Sequence, residues 1–330
     1  MWLAADNIER ARDLPTRAVG RFARDDHIAC TEHEAPMTAD PSNPLPDLST
    51  ALESLVAKAA SNVVAVHSRR SRSSGFLWRP GLIVTAEEAL ADEGEVTVTL
   101  PGGDTASADL VGRDPTTDIA LLRISRSDLA AASLAAPPVP TGAIVAVVGA
   151  EEGAPTAALG MVARTAGSWR SLRGGEIDAR IELAVGMRRS AEGGLAFDTG
   201  GRPFGMAVFG PRRRVLVIPS ATIERVAAAL EKHGRVARGY VGLGLQQVAL
   251  QDGDGTGVMV MSVDLNGPGA AAGLRQGDVL VTWDSKPVRS VPGLVRALGP
   301  ESVGRSVVLG IRRGGEPMDV SLTIAERPKP

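Results

Sequence analysis

A single cysteine, Cys30, stands in 330 residues. Neither an intrachain disulfide nor a cysteine-rich zinc site can be built from it. Histidine is nearly as scarce: His27, His33, His67 and His233 are the four, so imidazole chemistry has few places to occur. Aromatic residues number ten (four Trp, one Tyr, five Phe), which leaves a sugar cleft walled by stacking rings without support. No apolar run approaches the roughly eighteen residues of a membrane span. The N-terminal stretch carries charges throughout and resembles no signal peptide, so the cytoplasm is the default compartment on these grounds. An excess of one charge sign is missing too. With 36 basic and 38 acidic residues the formal net charge is -2, which argues against whole-chain affinity for nucleic acid or an anionic membrane.

What is abundant is glycine and proline, 38 and 22 residues, beside a 44% hydrophobic content. That mixture suits short strands joined by tight turns around a buried core, and the length suits two domains with a tail. Residues 1–47 show no sustained period and read as a disordered tail, with Met37 an alternative start to Met1. From Leu48 to residue 60 the pattern turns helical, with Leu48, Leu52, Leu55, Val56 and Ala59 on one face. Thr50 and Glu53 there have the spacing of a capping box. Residues 61–218 alternate β-branched runs such as Val63-Val64-Ala65-Val66 and Ala143-Ile144-Val145-Ala146-Val147-Val148 with turns such as Pro101-Gly102-Gly103-Asp104. This is the pattern of an all-β barrel or sandwich. Residues 219–237 hold a helix from Ala221 to about Lys232, stopped by Gly234. Residues 238–327 form a second domain with helix candidates at Gly269–Ala272 and Gly293–Leu298, and a hairpin turn at Arg312-Arg313-Gly314-Gly315-Glu316.

Five runs of residues carry a resemblance. Ser74-Gly75-Phe76-Leu77 precedes Gly81-Leu82-Ile83-Val84-Thr85-Ala86-Glu87-Glu88-Ala89-Leu90. Val111-Gly112-Arg113-Asp114-Pro115-Thr116-Thr117-Asp118-Ile119-Ala120-Leu121-Leu122 follows, then Ser190-Ala191-Glu192-Gly193-Gly194-Leu195 and Val217-Ile218-Pro219-Ser220. Together they resemble the HtrA/Deg family of trypsin-fold serine proteases with C-terminal PDZ domains. That family reads G-S-G-F, G-x-I-V-T-N-x-H-V-V, V-G-x-D-x-x-T-D-I-A-L-L, G-N-S-G-G-P-L and A-I-P-S. The resemblance runs from about residue 48 to 326. It implies a mainly β fold: a trypsin-like double β-barrel followed by an α+β PDZ domain.

Carried over by position, the family's acid falls on Asp118, its general base on Glu88 and its nucleophile on Glu192. Serine-protease chemistry needs a hydroxyl to attack and an imidazole to carry its proton. Glu192 has no hydroxyl and Glu88 no ring, so the triad is degenerate. The glycine that the family places two residues before its nucleophile is Ser190 here, which puts the oxyanion donors in doubt as well. The resemblance brings Glu88, Asp118 and Glu192 into one cleft. They would then share a proton, hold a divalent cation or plug the oxyanion site; alternatively, Glu88 and Glu192 turn outward or pair with Arg188 and Arg189. No pattern asks for a cofactor or a resident metal.

In the second domain, Arg238-Gly239-Tyr240-Val241-Gly242-Leu243 resembles the R-G-Y-L-G-I entry of the family's PDZ domain. Asn266 to Leu280 resembles its S-P-A-x-x-A-G-L-x-x-G-D-V-I. The resemblance implies that Tyr240, Val241, Gly242 and Leu243 bind a peptide, whose strand is added to the sheet and whose carboxylate meets backbone N–H groups. Leu243, Leu245, Leu294 and Leu298 either line a pocket for an apolar side chain or belong to the core. The short basic runs Arg69-Arg70, Arg188-Arg189 and Arg212-Arg213-Arg214 read as solvated turns, and no aromatic interleaving supports nucleic-acid binding. The leading expectation is a catalytically inactive homologue that binds C-terminal or unfolded peptide segments of proteins, or acts as a scaffold. The alternative is an active serine endopeptidase of protein quality control. A homotrimer, or an assembly with an active paralogue, stays open.

Overall fold

The computed structural model describes residues 43–69, 71–92, 94–136, 138–250 and 255–328; most of the expected tail, residues 1–42, lies outside them. Helix α1 spans Leu45–Ala60, three residues earlier than the sequence pattern suggests. Its start is set by Asn43, whose Oδ1 accepts the Leu45 N–H at 3.1 Å, with Pro46 in the first turn, where no intrahelical N–H is needed. The expected capping box therefore lies inside the helix and does not form. The Thr50 hydroxyl donates back to the Pro46 carbonyl at 2.9 Å, and Glu53 instead accepts from Ser49 at 2.8 Å.

Six strands close the first barrel: β1 (Val63–Ser68), β2 (Ser71–Arg79), β3 (Leu82–Thr85), β4 (Val96–Thr99), β5 (Thr105–Asp114) and β6 (Ile119–Arg123), in the order β1-β2-β3-β6-β5-β4. Next come β7 (Ile144–Glu151), β8 (Ala154–Ala166), a ribbon of β9 (Trp169–Arg170) and β10 (Glu176–Ile177), then β11 (Arg180–Val185), β12 (Leu195–Asp198), β13 (Pro203–Phe209) and β14 (Val215–Pro219). All of these but the ribbon close the second barrel, as β11-β14-β13-β12-β7-β8. The continuous apolar runs follow from burial on both faces. In β1, Val64 and Val66 join the interior of the first barrel with Leu77 and Ile83. Their neighbours Val63 and Ala65 join a cluster shared with Val148, Leu195 and Met206 of the second barrel. A strand alternates faces residue by residue, so a strand with core on each side has no polar position to offer.

Helix α2, Ser220–His233, lays Ile223, Val226 and Leu230 into that shared cluster. It ends at Gly234, which is left-handed (φ 70°) and donates to the Leu230 carbonyl at 2.8 Å.

The C-terminal domain contains β15 (Gly239–Tyr240), β16 (Leu243–Ala249), β17 (Thr256–Val263), helix α3 (Pro268–Ala271), β18 (Val279–Trp283), β19 (Lys286–Pro287), helix α4 (Val291–Arg296), β20 (Ser306–Arg313), β21 (Glu316–Thr323) and β22 (Ala325–Glu326). Its main sheet runs β16-β17-β18-β20-β21, which leaves β16 at an edge. Gly314 and Gly315 (φ 59° and 94°) make the two-residue turn between β20 and β21. Helix α4 starts two residues before the expected Gly293, because Ser290 Oγ accepts the Gly293 N–H at 3.2 Å and Pro292 occupies the first turn. Among the described residues, ion pairs that bind this domain to the barrels are Asp114–Arg238 at 3.4 Å, nearly buried, and Arg170–Glu301 at 2.7 Å.

Candidate functional site

The three carboxylates sit on loops where the barrels meet: Glu88 after β3, Asp118 in the turn from β5 to β6, and Glu192 just before β12. The turn is built by Asp114. Its carboxylate accepts the Thr116 N–H (3.2 Å) and hydroxyl (2.6 Å) and the Thr117 hydroxyl (2.7 Å). That local closure leaves Asp118 in a left-handed conformation, φ 58°, which Asp tolerates better than most residues. Its Oδ1 accepts the Glu88 N–H at 2.8 Å. Burial, with the neighbouring Glu88, Glu192 and Glu87 adding to it, pushes the Asp118 carboxyl up to about 7, against the pull of that hydrogen bond.

Glu192 is held just as closely. Its N–H donates to the Arg189 carbonyl at 3.1 Å, and its own carbonyl accepts the Ser74 N–H at 2.7 Å. Residues Arg189–Ala191 form one 3-10 turn. The register of the Glu192-Gly193-Gly194 run is fixed by space. Gly193 has φ 87°, and a Cβ there would run into the Ser74 carbonyl; a Cβ on Gly194 would lie 2.5 Å from the Val148 oxygen. The Glu192 side chain turns to β13, where Oε1 accepts the Phe209 N–H at 3.2 Å. Burial nonetheless raises its pKa.

Glu88 points outward and pairs with Arg173 at 3.4 Å. Of the alternatives, Glu88 takes the outward one and meets an arginine of the β9–β10 loop, while Glu192 meets a backbone donor with the charges of Arg189 and Arg213 nearby. Glu87 and Arg113 form a half-buried pair beside them at 3.5 Å. Burial raises the Glu87 pKa despite Arg113 and Arg173. Sequence reasoning missed Glu87, Arg113, Arg173 and the Phe209 donor. Only the unbroken Glu87-Glu88 pair hinted at a need for cations nearby. Among the described residues, no group of three His, Cys, Asp or Glu side chains is arranged to hold a metal ion.

Among the described residues, the hydroxyls near the cleft are engaged. The Ser190 hydroxyl donates to Glu151 (3.1 Å) and the Thr85 hydroxyl to the Ser74 carbonyl (2.7 Å). His67 is bonded to Thr99 (3.0 Å) on β1, and His233 closes α2. His27 and His33 lie outside the described residues. Beside Glu88 and Asp118 opens a cavity of about 400 Å³ with apolar walls that include Trp169, Ile177, Phe209 and Leu216.

The second candidate site is the loop before β16. Gly242 has φ 70°, and a Cβ there would stand 3.0 Å from Gly267 Cα. The loop is braced from behind: the Val241 carbonyl accepts the Gly269 N–H and the Gly242 carbonyl the Asp264 N–H, both at 2.8 Å. The Tyr240 hydroxyl donates to Asp264 at 2.8 Å, and this bond holds the Asp264 carboxyl below its usual range. Among the described residues no acceptor takes the N–H of Val241 or Gly242. Both residues are buried, and a buried N–H without a partner favours binding of an acceptor. Leu243 and Leu245 are half-buried on the edge strand, whereas Leu294 is 3% exposed and belongs to the core.

Two closed six-stranded barrels, with the candidate positions on the loops between them, and a strand-edged domain after them define a trypsin-like peptidase fold joined to a PDZ domain. The comparisons agree. The trypsin-like peptidase domain family matches residues 73–206, and the PDZ domain family matches residues 239–324. The chain belongs to the HtrA family. A probable periplasmic serine endoprotease, DegP-like, of Brucella suis is 30% identical over 275 residues, covering 78% of this chain and 53% of that protein. The chain thus spans about half the length of the curated relatives it matches. The crystal structure of the serine endoprotease from Yersinia pestis is 25% identical, with TM-score 0.64, covering 84% of this chain and 98% of that one. The HtrA-type protease AlgW with a decapeptide shares the fold at 22% identity and TM-score 0.64, with the same coverage. The cytoplasmic default is overturned, because several relatives are named as periplasmic proteins. The charge pattern of residues 1–47 was the wrong ground for a compartment.

Proposed function

We propose that this chain is a non-hydrolytic HtrA-family protein that captures C-terminal or unfolded peptide segments through its PDZ domain, outside the cytoplasm, with the barrels as scaffold. One observation carries the reading. At the position the family gives its nucleophile stands Glu192, whose N–H is bonded to Arg189 and whose carboxylate is bonded to Phe209. An acyl transfer needs an attacking oxygen, an imidazole base and free donors for the oxyanion; none of the three is supported at this cleft. At the PDZ loop the support runs the other way. A peptide carboxylate would accept from Val241 and Gly242, its strand would extend the sheet at β16, and an apolar terminal side chain would lie against Leu243 and Leu245. Self-assembly as a trimer, or assembly with an active paralogue, would multiply such sites.

The second reading, an active serine endopeptidase, is favoured by the names of the relatives. Degradation of labelled casein separates the two, measured on the purified chain beside a Glu88→His/Glu192→Ser double variant. An inert wild type supports the proposal. Cutting by the wild type that persists through further purification favours the second reading. Activity gained by the double variant alone would add that the scaffold keeps its catalytic geometry.

A further inference from the structure

Two of the arginine runs in the sequence meet at the cleft. Arg188 and Arg189 lie in the turn that leads into Glu192, and Arg212 and Arg213 lie in the turn that follows Phe209. The Phe209 N–H to Glu192 Oε1 bond joins the two turns. All four arginines are exposed, and among the described residues none forms an ion pair within 4.0 Å; their neighbours Arg214 and Arg72 are paired, with Glu182 and Glu152. Arg212 and Arg213 both hold left-handed backbone, φ 59° and 57°, an uncommon state for a non-glycine residue and one found at ligand clamps. The Arg213 guanidinium lies 5.2 Å from the centre of the Phe209 ring. On the other side, Arg188 and Arg189 line an open cavity of about 420 Å³ with Arg72, Ser71, Ser190 and Glu151.

We infer that these two turns form a docking surface for an acidic, extended polypeptide segment. The carboxylates facing the arginines are already engaged: Glu192 by Phe209, Glu151 by the Ser190 hydroxyl and Glu152 by Arg72. Glu192 and Glu151 keep their charge and Glu152 pairs with Arg72, so Arg188, Arg189, Arg212 and Arg213 stand against two carboxylates and the surface keeps a net positive charge. Guanidinium groups take carboxylates as planar forks, which suits Asp and Glu side chains. Glu192 stands between the two arginine pairs, so one small anion bridging them would meet its carboxylate. A chain with acidic residues on either side of a neutral stretch avoids it. Nucleic acid is the poorer fit, since single-strand binders stack bases on aromatic faces and Phe209 is half-buried beneath Arg213. The inference goes beyond the PDZ reading and does not depend on it.

The test is fluorescence anisotropy of the full chain with a labelled, unstructured peptide carrying two Glu pairs, amidated at its C-terminus so that a carboxylate loop has nothing to hold. Binding is expected to weaken about tenfold in Arg188→Ala/Arg189→Ala and again in Arg212→Ala/Arg213→Ala, and to weaken with added salt. The lysine versions of the same pairs should bind within about threefold of wild type, which separates lost charge from a lost fold. Glu192→Gln should tighten binding, because it removes the central negative charge. A Gln-for-Glu peptide that binds equally well, or arginine variants that fold and bind like wild type, would overturn the inference. So would a single-stranded oligonucleotide that binds more tightly than the acidic peptide. If instead Gly242→Val abolishes binding, the acidic segment is read by the PDZ domain; this inference then fails while the PDZ reading stands.

Discussion

The cleft between the barrels and the groove of the PDZ domain are both built around backbone donors beside a glycine in positive φ, Gly193 in one and Gly242 in the other. In the cleft the chain has closed those donors on itself. Glu192 N–H meets Arg189, Gly193 N–H meets the Ala207 carbonyl, and Phe209 N–H meets the Glu192 carboxylate. In the groove the carbonyls are braced and, among the described residues, the Val241 and Gly242 N–H groups are left without a partner. A satisfied donor gains little from a ligand, whereas a buried free donor gains a charge-assisted bond of about 1.5–3 kcal/mol. The same local motif is thus a closed structural joint in one domain and a candidate binding site in the other.

The comparison can be broken first at the joint between the two regions. Asp114 organises the turn that carries Asp118 and also pairs with Arg238, whose side chain is 16% exposed and whose Nε has no acceptor among the described residues. Asp114→Ala should therefore destabilise the chain by about 3–5 kcal/mol, because it strands a buried guanidinium as well as opening the turn. Denaturant unfolding of both variants, with Arg238→Met as the partner that removes the charge, should show the second to be much milder. Equal losses would mean that the pair itself, and not the stranded charge, holds the domains.

The groove is the next point of attack. Gly242→Val needs a left-handed valine and presses on Gly267 Cα, so the Val241 and Gly242 donors should swing out of line. Losing two charge-assisted bonds is expected to weaken a C-terminal peptide about 100-fold, measured by calorimetry, with an amidated peptide as the blank. A change below about threefold would remove this loop from recognition.

The cleft should respond with the smallest change, and with the opposite sign. Asp118 is pushed up to about 7 in the folded chain from an ordinary value of 3.8. Between these two values the folded state holds more protons than the unfolded one. Its stability must therefore fall as pH rises from about 4 to about 7, then level off. Asp118→Asn keeps the acceptor for the Glu88 N–H and tolerates the left-handed backbone. It should raise stability by about 1–3 kcal/mol at pH 8 and flatten that slope. Thermal unfolding across this pH range checks it. Destabilisation at pH 8 would show that the ionised carboxylate is held by contacts worth more than its burial.

Legibility in the sequence followed the range of the interaction. The Asp114–Asp118 turn is fixed by neighbours a few residues away, and its motif string announced it. The Gly193-Gly194 register is set by Ser74 and Val148, distant in sequence, and was legible only through the resemblance of its motif. The stop of α2 at Gly234 was equally visible. The start of α1 was not, since Thr50 and Glu53 have capping-box spacing while Asn43 and Pro46 set the true beginning. The partner of Glu88 was invisible because Arg173 is brought in by the β9–β10 ribbon, 85 residues further along. Leu294 is indistinguishable in the sequence from a pocket residue. Only the packing of α4 on the sheet makes it core.

The most direct measurement follows one labelled unfolded peptide with a free apolar C-terminus, reading anisotropy and mass in the same sample over many hours. The account expects the peptide to bind saturably, to be released by Gly242→Val, and to keep its full mass throughout. Fragments that accumulate with the wild-type chain and vanish with Asp118→Asn would contradict it, because an acid that orients no base has no bond-breaking role to lose.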